Sequence, residues 1–136
     1  MFSDQGQGTW PLERTRKMLW VRLSSNRKAC RIRAMFDTGA ERCVFPSNME
    51  EILFSDCSKG KIVELTGIGG SVKAVARVVT VEVFSDDQME SLICVEKVRV
   101  FFVREKEFRL ALLGVVGFMD KFQWALNYPS KVLVAK

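Results

Sequence analysis

Apolar and polar side chains alternate along most of the chain, and this period of two predicts β-strands. The alternation is clearest in residues 17–23 and 29–36, which are separated by a Ser-Ser-Asn-Arg turn and therefore predict a hairpin. Longer alternating or β-branched segments predict further strands over residues 61–66, 71–84 and 92–103. Most of the chain is therefore expected to form β-sheet.

Shorter elements are predicted after the first hairpin. Residues 43–45 are apolar and are followed by Pro46, which predicts a short strand. Residues 48–54 have helical spacing, and Ser47 with Glu50 three residues later predicts a capping box at the start of a helix.

The last third of the chain predicts one buried strand, one helix and a final hairpin. Residues 110–114 are apolar and end in glycine, which is typical of a strand buried on both faces. Residues 115–122 carry apolar side chains at helical spacing and predict a short helix. Residues 123–126 and 131–135 predict two final strands around a turn.

The length of 136 residues favours one domain. Residues 1–16 are rich in Gly, Gln and polar side chains and predict a flexible basic N-terminal arm, so the folded domain is expected over residues 17–136. Residues 1–36 carry a net charge of +6 and the remainder −1, which favours a solvated basic strand face. A small basic nucleic-acid-binding barrel is an alternative, but no aromatic stacking motif accompanies the charge, so nucleic acid is not expected as a partner.

Composition limits the possible chemistry and location. The chain has no histidine and four scattered cysteines, so neither a metal site nor a histidine-activated nucleophile is expected, and no cofactor is predicted. No basic start with an apolar core marks a signal peptide, and no apolar run is long enough to cross a membrane. We therefore expect a soluble protein of the cytoplasm or another intracellular compartment, without membrane association.

One short stretch carries candidate chemistry. Residues 34–40 read Ala-Met-Phe-Asp-Thr-Gly-Ala, so a predicted strand leads into the carboxylate of Asp37. The hydroxyl of Thr38 follows, and then Gly39, where the backbone can turn or be approached closely. An ordinary tight turn has the same composition. Without histidine, proton transfer in this chain would depend on carboxylates, Lys, Tyr or Cys.

Two further motifs follow, a glycine-rich turn between two predicted strands and an apolar pair that ends in glycine. With the first motif, the set is Asp37-Thr38-Gly39-Ala40, Gly67-Ile68-Gly69-Gly70 and Leu112-Leu113-Gly114. In order and spacing, these three motifs resemble those of retroviral-type (retropepsin-like) aspartic peptidases, in the style of cellular and retrotransposon single-domain members. The resemblance implies a mainly β fold, a closed antiparallel β barrel with one short C-terminal helix.

The resemblance also implies a homodimer, because this chain has one Asp-Thr-Gly whereas larger pepsin-like enzymes carry two. Two Asp37 carboxylates, one from each chain, would meet across a two-fold axis and share one proton. One would take a proton from water while the other donates to the peptide carbonyl. The implied activity is that of an aspartic endopeptidase that hydrolyses peptide bonds in extended protein segments.

The resemblance implies a role for each of the remaining motif residues. Thr38 would link the two active-site loops, and Gly39 would present its carbonyl to the substrate. Ala40 and Glu41 would lie in the substrate-binding region beside the catalytic pair. A flap over the substrate would be formed by Gly67, Ile68, Gly69 and Gly70. Support beneath the catalytic loop would come from Leu112, Leu113 and Gly114.

The chain departs from the viral pattern in two places. Viral members usually have Asp at the position of Glu41, paired with an Arg directly after the supporting glycine, and here that position is Val115. Three partners for Glu41 are open: the substrate, Arg42, or a basic residue of the other subunit. The termini do not match the interleaved ends of viral dimers. The alternative function is therefore a catalytically inactive domain that acts as a protein-binding or dimerisation module.

Overall fold

The computed structural model describes residues 7–11, 18–56, 59–66, 70–127 and 131–135, with side chains from residue 18 to residue 125 of these ranges. Within them the chain forms ten strands, one α-helix and one short 3₁₀ helix, which confirms the prediction of a mainly β fold. The strands are β1 (Gln7–Pro11), β2 (Met18–Ser25), β3 (Lys28–Phe36), β4 (Cys43–Pro46), β5 (Lys61–Thr66), β6 (Ser71–Phe84), β7 (Ser91–Val103), β8 (Leu112–Leu113), β9 (Gln123–Asn127) and β10 (Lys131–Ala135). The helix α1 covers Ser47–Leu53, and the 3₁₀ helix covers Met119–Lys121.

The described strands form two sheets. The larger sheet has the order β2-β3-β8-β4-β7-β6-β5, with an additional pairing between β2 and β6. The smaller sheet has the order β1-β10-β9. Two neighbouring pairs in the larger sheet, β3 with β8 and β4 with β7, are parallel. The expected antiparallel arrangement therefore holds only in part: the larger sheet is mixed, because β4 and β8 enter it through crossover connections rather than hairpins.

The predicted first hairpin is present, with β2 antiparallel to β3. Its two-residue turn consists of Asn26 and Arg27, which both have positive φ, as hairpin turns that match the strand twist require. Along β2, Leu19, Val21 and Leu23 are at most 1% exposed, whereas the side chains between them are half-buried. The alternation in the sequence thus marks the face that joins the hydrophobic core.

The helix α1 is present where the sequence predicts it, but the predicted capping box is wrong. Pro46 occupies the N-cap position with extended backbone, and no side chain caps the helix. Glu50 points into the protein instead and is 2% exposed. Its Oε2 atom accepts a hydrogen bond from Nε of Arg77 at 3.1 Å, which makes a buried ion pair between α1 and β6.

Arg77 also holds the segment that follows α1. Its Nη2 donates to the carbonyl of Asp56 at 2.7 Å, and its guanidinium lies 4.5 Å from the ring centre of Phe54. One arginine of β6 therefore contacts a carboxylate, a carbonyl and an aromatic ring from α1 and the residues after it. These contacts fasten the helix to the sheet.

The C-terminal third differs in detail from the prediction. Only Leu112–Leu113 form a strand within the apolar run 110–114, and Leu110 is 39% exposed. The predicted helix over residues 115–122 is a turn over residues 115–118, followed by the 3₁₀ helix. Gly117 has a φ of +86°, which no α-helix contains, and its N–H donates to Oδ1 of Asp120 at 3.0 Å. The expected C-terminal helix is therefore a single 3₁₀ turn.

The predicted flexible arm over residues 1–16 contains the strand β1. This strand pairs antiparallel with β10, from Gln7 opposite Ala135 to Pro11 opposite Lys131. The rest of the predicted arm lies outside the described residues. The strands of the small sheet thus bring the two ends of the described chain together.

Removal of Glu50 should destabilise the fold because it leaves the Arg77 guanidinium buried without its carboxylate. We expect Glu50→Ala to lower the free energy of unfolding by about 3–5 kcal/mol, measured by urea denaturation. The matched control is Arg22→Ala, which removes an exposed pair with Glu82 at 3.8 Å. That variant should change the free energy of unfolding by less than about 1 kcal/mol. An equal decrease in the free energy of unfolding in both variants would contradict the larger contribution expected of the buried pair.

Candidate active site

Asp37 follows the last residue of β3, and the main chain there continues the pairing with β8. The N–H of Met35 donates to the carbonyl of Ala111 at 2.8 Å, and the N–H of Asp37 donates to the carbonyl of Leu113 at 3.1 Å. Because side chains alternate along an extended strand, the Asp37 carboxylate lies on the same face as Met35, opposite to the buried Phe36. Asp37 is half-buried.

A tight turn over residues 37–40 orients this carboxylate. The N–H of Ala40 donates to the carbonyl of Asp37 at 3.1 Å, and the N–H of Gly39 donates to Oδ1 of Asp37 at 2.9 Å. A Cβ atom at Gly39 would lie 3.2 Å from the same Oδ1, so glycine gives the carboxylate its space. Thr38 is exposed, and its hydroxyl makes no hydrogen bond to another described residue.

The residues after β8 hold the other side of the turn. The N–H of Val115 donates to the carbonyl of Ala40 at 3.0 Å, and the N–H of Val116 donates to the carbonyl of Glu41 at 2.8 Å. A Cβ atom at Gly114 would lie 2.4 Å from the carbonyl carbon and oxygen of Arg42. Only glycine permits this approach of two backbone segments.

A buried thiol lies next to the place where the main chains of Gly114 and Arg42 meet. Sγ of Cys43 accepts a hydrogen bond from the N–H of Gly114 at 3.3 Å, and Cys43 is 0% exposed. Burial raises the pKa of the Cys43 thiol to about 11, partly opposed by the Gly114 N–H and reinforced by the negative charge of Asp120. The thiol therefore stays neutral and satisfies a main-chain donor that would otherwise be buried without a partner.

An apolar row extends from Asp37 across four strands. Met35 of β3 lies opposite Leu112 of β8, Leu112 opposite Val44 of β4, and Val44 opposite Phe101 of β7. Residues that are paired in a ladder share one face of the sheet, so these four side chains and the Asp37 carboxylate lie on the same side. Leu112 and Phe101 are 3% and 5% exposed, whereas Val44 and Met35 are half-buried. The carboxylate thus lies at one end of an apolar surface.

Glu41 lies beside Arg42, which is one of its three possible partners in the sequence analysis. Its Oε1 atom is 3.8 Å from Nε of Arg42, in an exposed pair. The Glu41 side chain is 76% exposed, so this pair contributes little to stability. The ion pair that the resemblance associates with this position is absent, because Val115 has no charge and contributes a main-chain bond instead.

The predicted flap corresponds to the hairpin of β5 and β6, in which Thr66 lies opposite Ser71. Gly67, Ile68 and Gly69, the predicted tip, lie outside the described residues. Gly70 has a φ of +121° and open space where a side chain would be. This conformation explains the glycine at the start of β6.

Of the three predicted motifs, the structure brings together the one that contains Asp37 and the one that ends at Gly114. A main-chain hydrogen bond joins Asp37 to Leu113, and Gly114 lies against the main chain of Arg42, directly after the motif. Leu112 lies opposite Met35 and Val44, on the face of the sheet beside Asp37. Sequence reasoning missed Cys43 and named Arg42 only as a possible partner of Glu41, because nothing local indicates that these two residues meet Gly114.

Neither a metal centre nor a membrane span is found in the described part of the chain. No group of three His, Cys, Asp or Glu side chains there is arranged to hold a metal ion. No helix in the same ranges has the length and apolar character needed to cross a membrane.

Comparison with known proteins establishes the type of fold. No family model and no curated protein matches the chain. Among solved structures, the chain is similar to the crystal structure of a retropepsin-like aspartic protease from Rickettsia conorii, with a TM-score of 0.64 and 16% sequence identity. The match covers 95% of this chain and 92% of that chain. The chain therefore has a retropepsin-like fold.

Gly114→Ala should disturb the close approach of the Gly114 and Arg42 main chains beside the Asp37 turn, because the new Cβ would overlap the Arg42 backbone. We expect a loss of roughly 1–3 kcal/mol in the free energy of unfolding. Native-state hydrogen exchange should become faster at the N–H groups of Asp37, Val115 and Val116. Gly39→Ala is the comparison variant, with a smaller loss, because its Cβ meets only a carboxylate oxygen at 3.2 Å. Unchanged exchange in Gly114→Ala would contradict the close approach.

The raised pKa of Cys43 predicts a loss of stability at high pH. The folded protein keeps a thiol proton that the unfolded chain releases above its ordinary pKa of 9.0, so stability is complete below pH 9 and falls as the pH rises toward 11. This residue should account for on the order of 2 kcal/mol of that loss. Cys43→Ser lacks the titration, and Cys30, whose pKa is also raised to about 11, is present in both proteins. Stability curves that stay parallel from pH 8 to 11 would contradict the prediction.

Proposed function

We propose that this chain is a homodimeric aspartic endopeptidase that cleaves peptide bonds in extended protein segments. The observation that supports it most is the half-buried Asp37 carboxylate, which is held by the Gly39 N–H at one end of an apolar surface. The retropepsin-like fold supports the proposal, because it is a framework compatible with this chemistry. The additional pairing of β2 with β6 favours a closed barrel as that framework.

One chain supplies one such carboxylate, so the proposed site needs a second copy. In a two-fold dimer, each chain would contribute its Asp37, and the two carboxylates would hold one proton between them. The ionised carboxylate would accept a proton from a bound water molecule as that water attacks the peptide carbonyl. The protonated carboxylate would donate to the carbonyl oxygen. No covalent intermediate with the enzyme forms in this scheme, which agrees with the absence of histidine from the chain.

Other motif residues take supporting roles in the proposal. Thr38 is exposed, so its hydroxyl is available to the equivalent loop of the second copy. Gly39 and Ala40 would contact the substrate main chain, with Glu41 at the edge of the binding region. The hairpin of β5 and β6, with Gly67, Ile68, Gly69 and Gly70 between its strands, would close over the bound peptide and pair with it as a strand does.

The apolar row beside Asp37 suggests what lies next to the cleaved bond. Met35 and Val44 are half-buried on the side of the carboxylate, and the almost fully buried Leu112 and Phe101 lie beside them on the same face. An extended peptide that lies on it would bury apolar side chains there. We therefore propose substrates with hydrophobic residues at the cleaved bond, in a protein segment that can become extended.

Asp37→Asn should abolish cleavage, because it keeps the shape of the side chain but removes the proton-transferring group. We expect wild-type protein to cleave a diverse peptide mixture between pH 4 and 7, and the variant to be slower by at least about 10³-fold. Mass spectrometry of the products measures both rates and identifies the cleaved bonds. The matched control is Asp86→Asn, which changes an exposed carboxylate in the turn between β6 and β7 and should leave cleavage unchanged.

The assembly state decides how a negative result is interpreted, so sedimentation velocity must accompany the assay. Wild-type protein that is folded and dimeric but cleaves no peptide would contradict the peptidase proposal and favour the binding module. Cleavage that persists in Asp37→Asn would place the catalytic group elsewhere. A protein that remains monomeric at all concentrations would contradict the proposed shared site.

A further inference from the structure

Two arginines converge on one aromatic ring at the far end of the apolar row. The guanidinium of Arg42 lies 5.8 Å from the ring centre of Phe101, and that of Arg99 lies 5.6 Å from the same centre. Phe101 itself is only 5% exposed. Two cationic groups therefore lie over the residue that ends the apolar surface beside Asp37.

Both arginines belong to the face that carries the Asp37 carboxylate. Arg42 precedes Val44 by two residues, and Arg99 precedes Phe101 by two residues on β7. Side chains two residues apart on a strand share a face, so Arg99 lies on the face of Phe101. The contact of the Arg42 guanidinium with the same ring puts that charge beside the apolar row too. The steps from β3 to β7 through β8 and β4 span about 14 Å, which about four residues of an extended peptide can cover.

The positive charge of this pair is poorly neutralised by the chain itself. Arg99 is exposed and lies opposite Val78, which is 56% exposed. No carboxylate of the described residues forms an ion pair with Arg99. Within the described ranges, the carboxylate that pairs with Arg42 is that of Glu41, at 3.8 Å and with a side chain 76% exposed. An anionic group placed near the Phe101 ring would meet two guanidinium groups at once.

We infer that Arg42 and Arg99 form a cationic subsite that selects peptide substrates with a carboxylate side chain within about four residues of the cleaved bond. This selectivity rests on the proposed peptidase function, because it concerns which peptides that site accepts. Peptides that combine a hydrophobic residue at the cleaved bond with a nearby Asp or Glu are the predicted substrate class. Two-fold symmetry would provide one such subsite on each side of the catalytic pair.

The test uses one peptide cleaved by wild-type protein, with a single position varied as Glu, Gln or Lys. Each of the four positions on either side of the cleaved bond is varied in turn, and kcat/KM is measured for every peptide. At the position that reaches the subsite, we expect wild-type protein to prefer Glu over Gln by roughly tenfold. The preference should fall to less than about twofold in the double variant Arg42→Gln/Arg99→Gln, and the double variant Arg42→Glu/Arg99→Glu should favour Lys over Glu.

The matched control removes a different arginine from a phenylalanine ring. The Arg31 guanidinium lies 4.2 Å from the ring centre of Phe84, and Arg31→Gln should leave the Glu/Gln ratio as it is in wild type. Near-UV circular dichroism of each variant confirms that the fold is retained. A wild-type ratio near one at all positions, or a ratio that persists in the double variant, would overturn the inference.

A binding measurement separates this inference from the proposed catalysis. If wild-type protein cleaves no peptide, the same Glu, Gln and Lys peptides are titrated by fluorescence anisotropy. Tighter binding of Glu peptides that disappears in the double variant supports the subsite even when hydrolysis is absent. Equal Kd values for the Glu and Gln peptides overturn the subsite and leave the peptidase question to the Asp37→Asn comparison.

Discussion

The hydrogen bond from the Asp37 N–H to the Leu113 carbonyl is the constraint on which the candidate site depends. It continues the pairing of β3 with β8 past the end of the strand, and so decides which face the Asp37 carboxylate occupies. Two further main-chain bonds, from Val115 and Val116, hold the residues that follow the turn. Because the framework consists of main-chain groups, it needs no ion pair at the position of Glu41. An uncharged Val115 is therefore compatible with an ordered loop.

Much of the framework could be predicted because its signals are local. The alternation in β2 and β3 and the turn at Asn26 and Arg27 indicate a hairpin that ends at Asp37. Glycine at position 39 avoids a tight contact with the Asp37 carboxylate within the same turn. In contrast, the parallel pairings join segments that are far apart in the chain, and no local pattern specifies them. The convergence of Arg42 and Arg99 on Phe101 depends on those pairings and was therefore not predictable.

The incorrect predictions have physical causes that local patterns do not contain. The capping box needs Glu50 to accept a hydrogen bond from the N-cap N–H, but Pro46 at that position has no N–H, and Glu50 pairs with Arg77 instead. The helical spacing of residues 115–122 reflects side chains that turn inward from an irregular segment. Gly117 has a backbone conformation outside the helical region and ends any regular helix there. In both places a contact or a single backbone angle outweighs the periodicity of the side chains.

The pairing of β3 with β8 also determines when the candidate site can exist during synthesis. Met35 and Asp37 emerge from the ribosome long before Ala111 and Leu113, which carry the carbonyls that their N–H groups require. Until then the Asp37 turn lacks both its acceptor and the glycine that supports it. A nascent chain that stops before Leu113 can form the first hairpin but not the site. The order of the chain thus delays assembly of the candidate active site until most of the domain has been made.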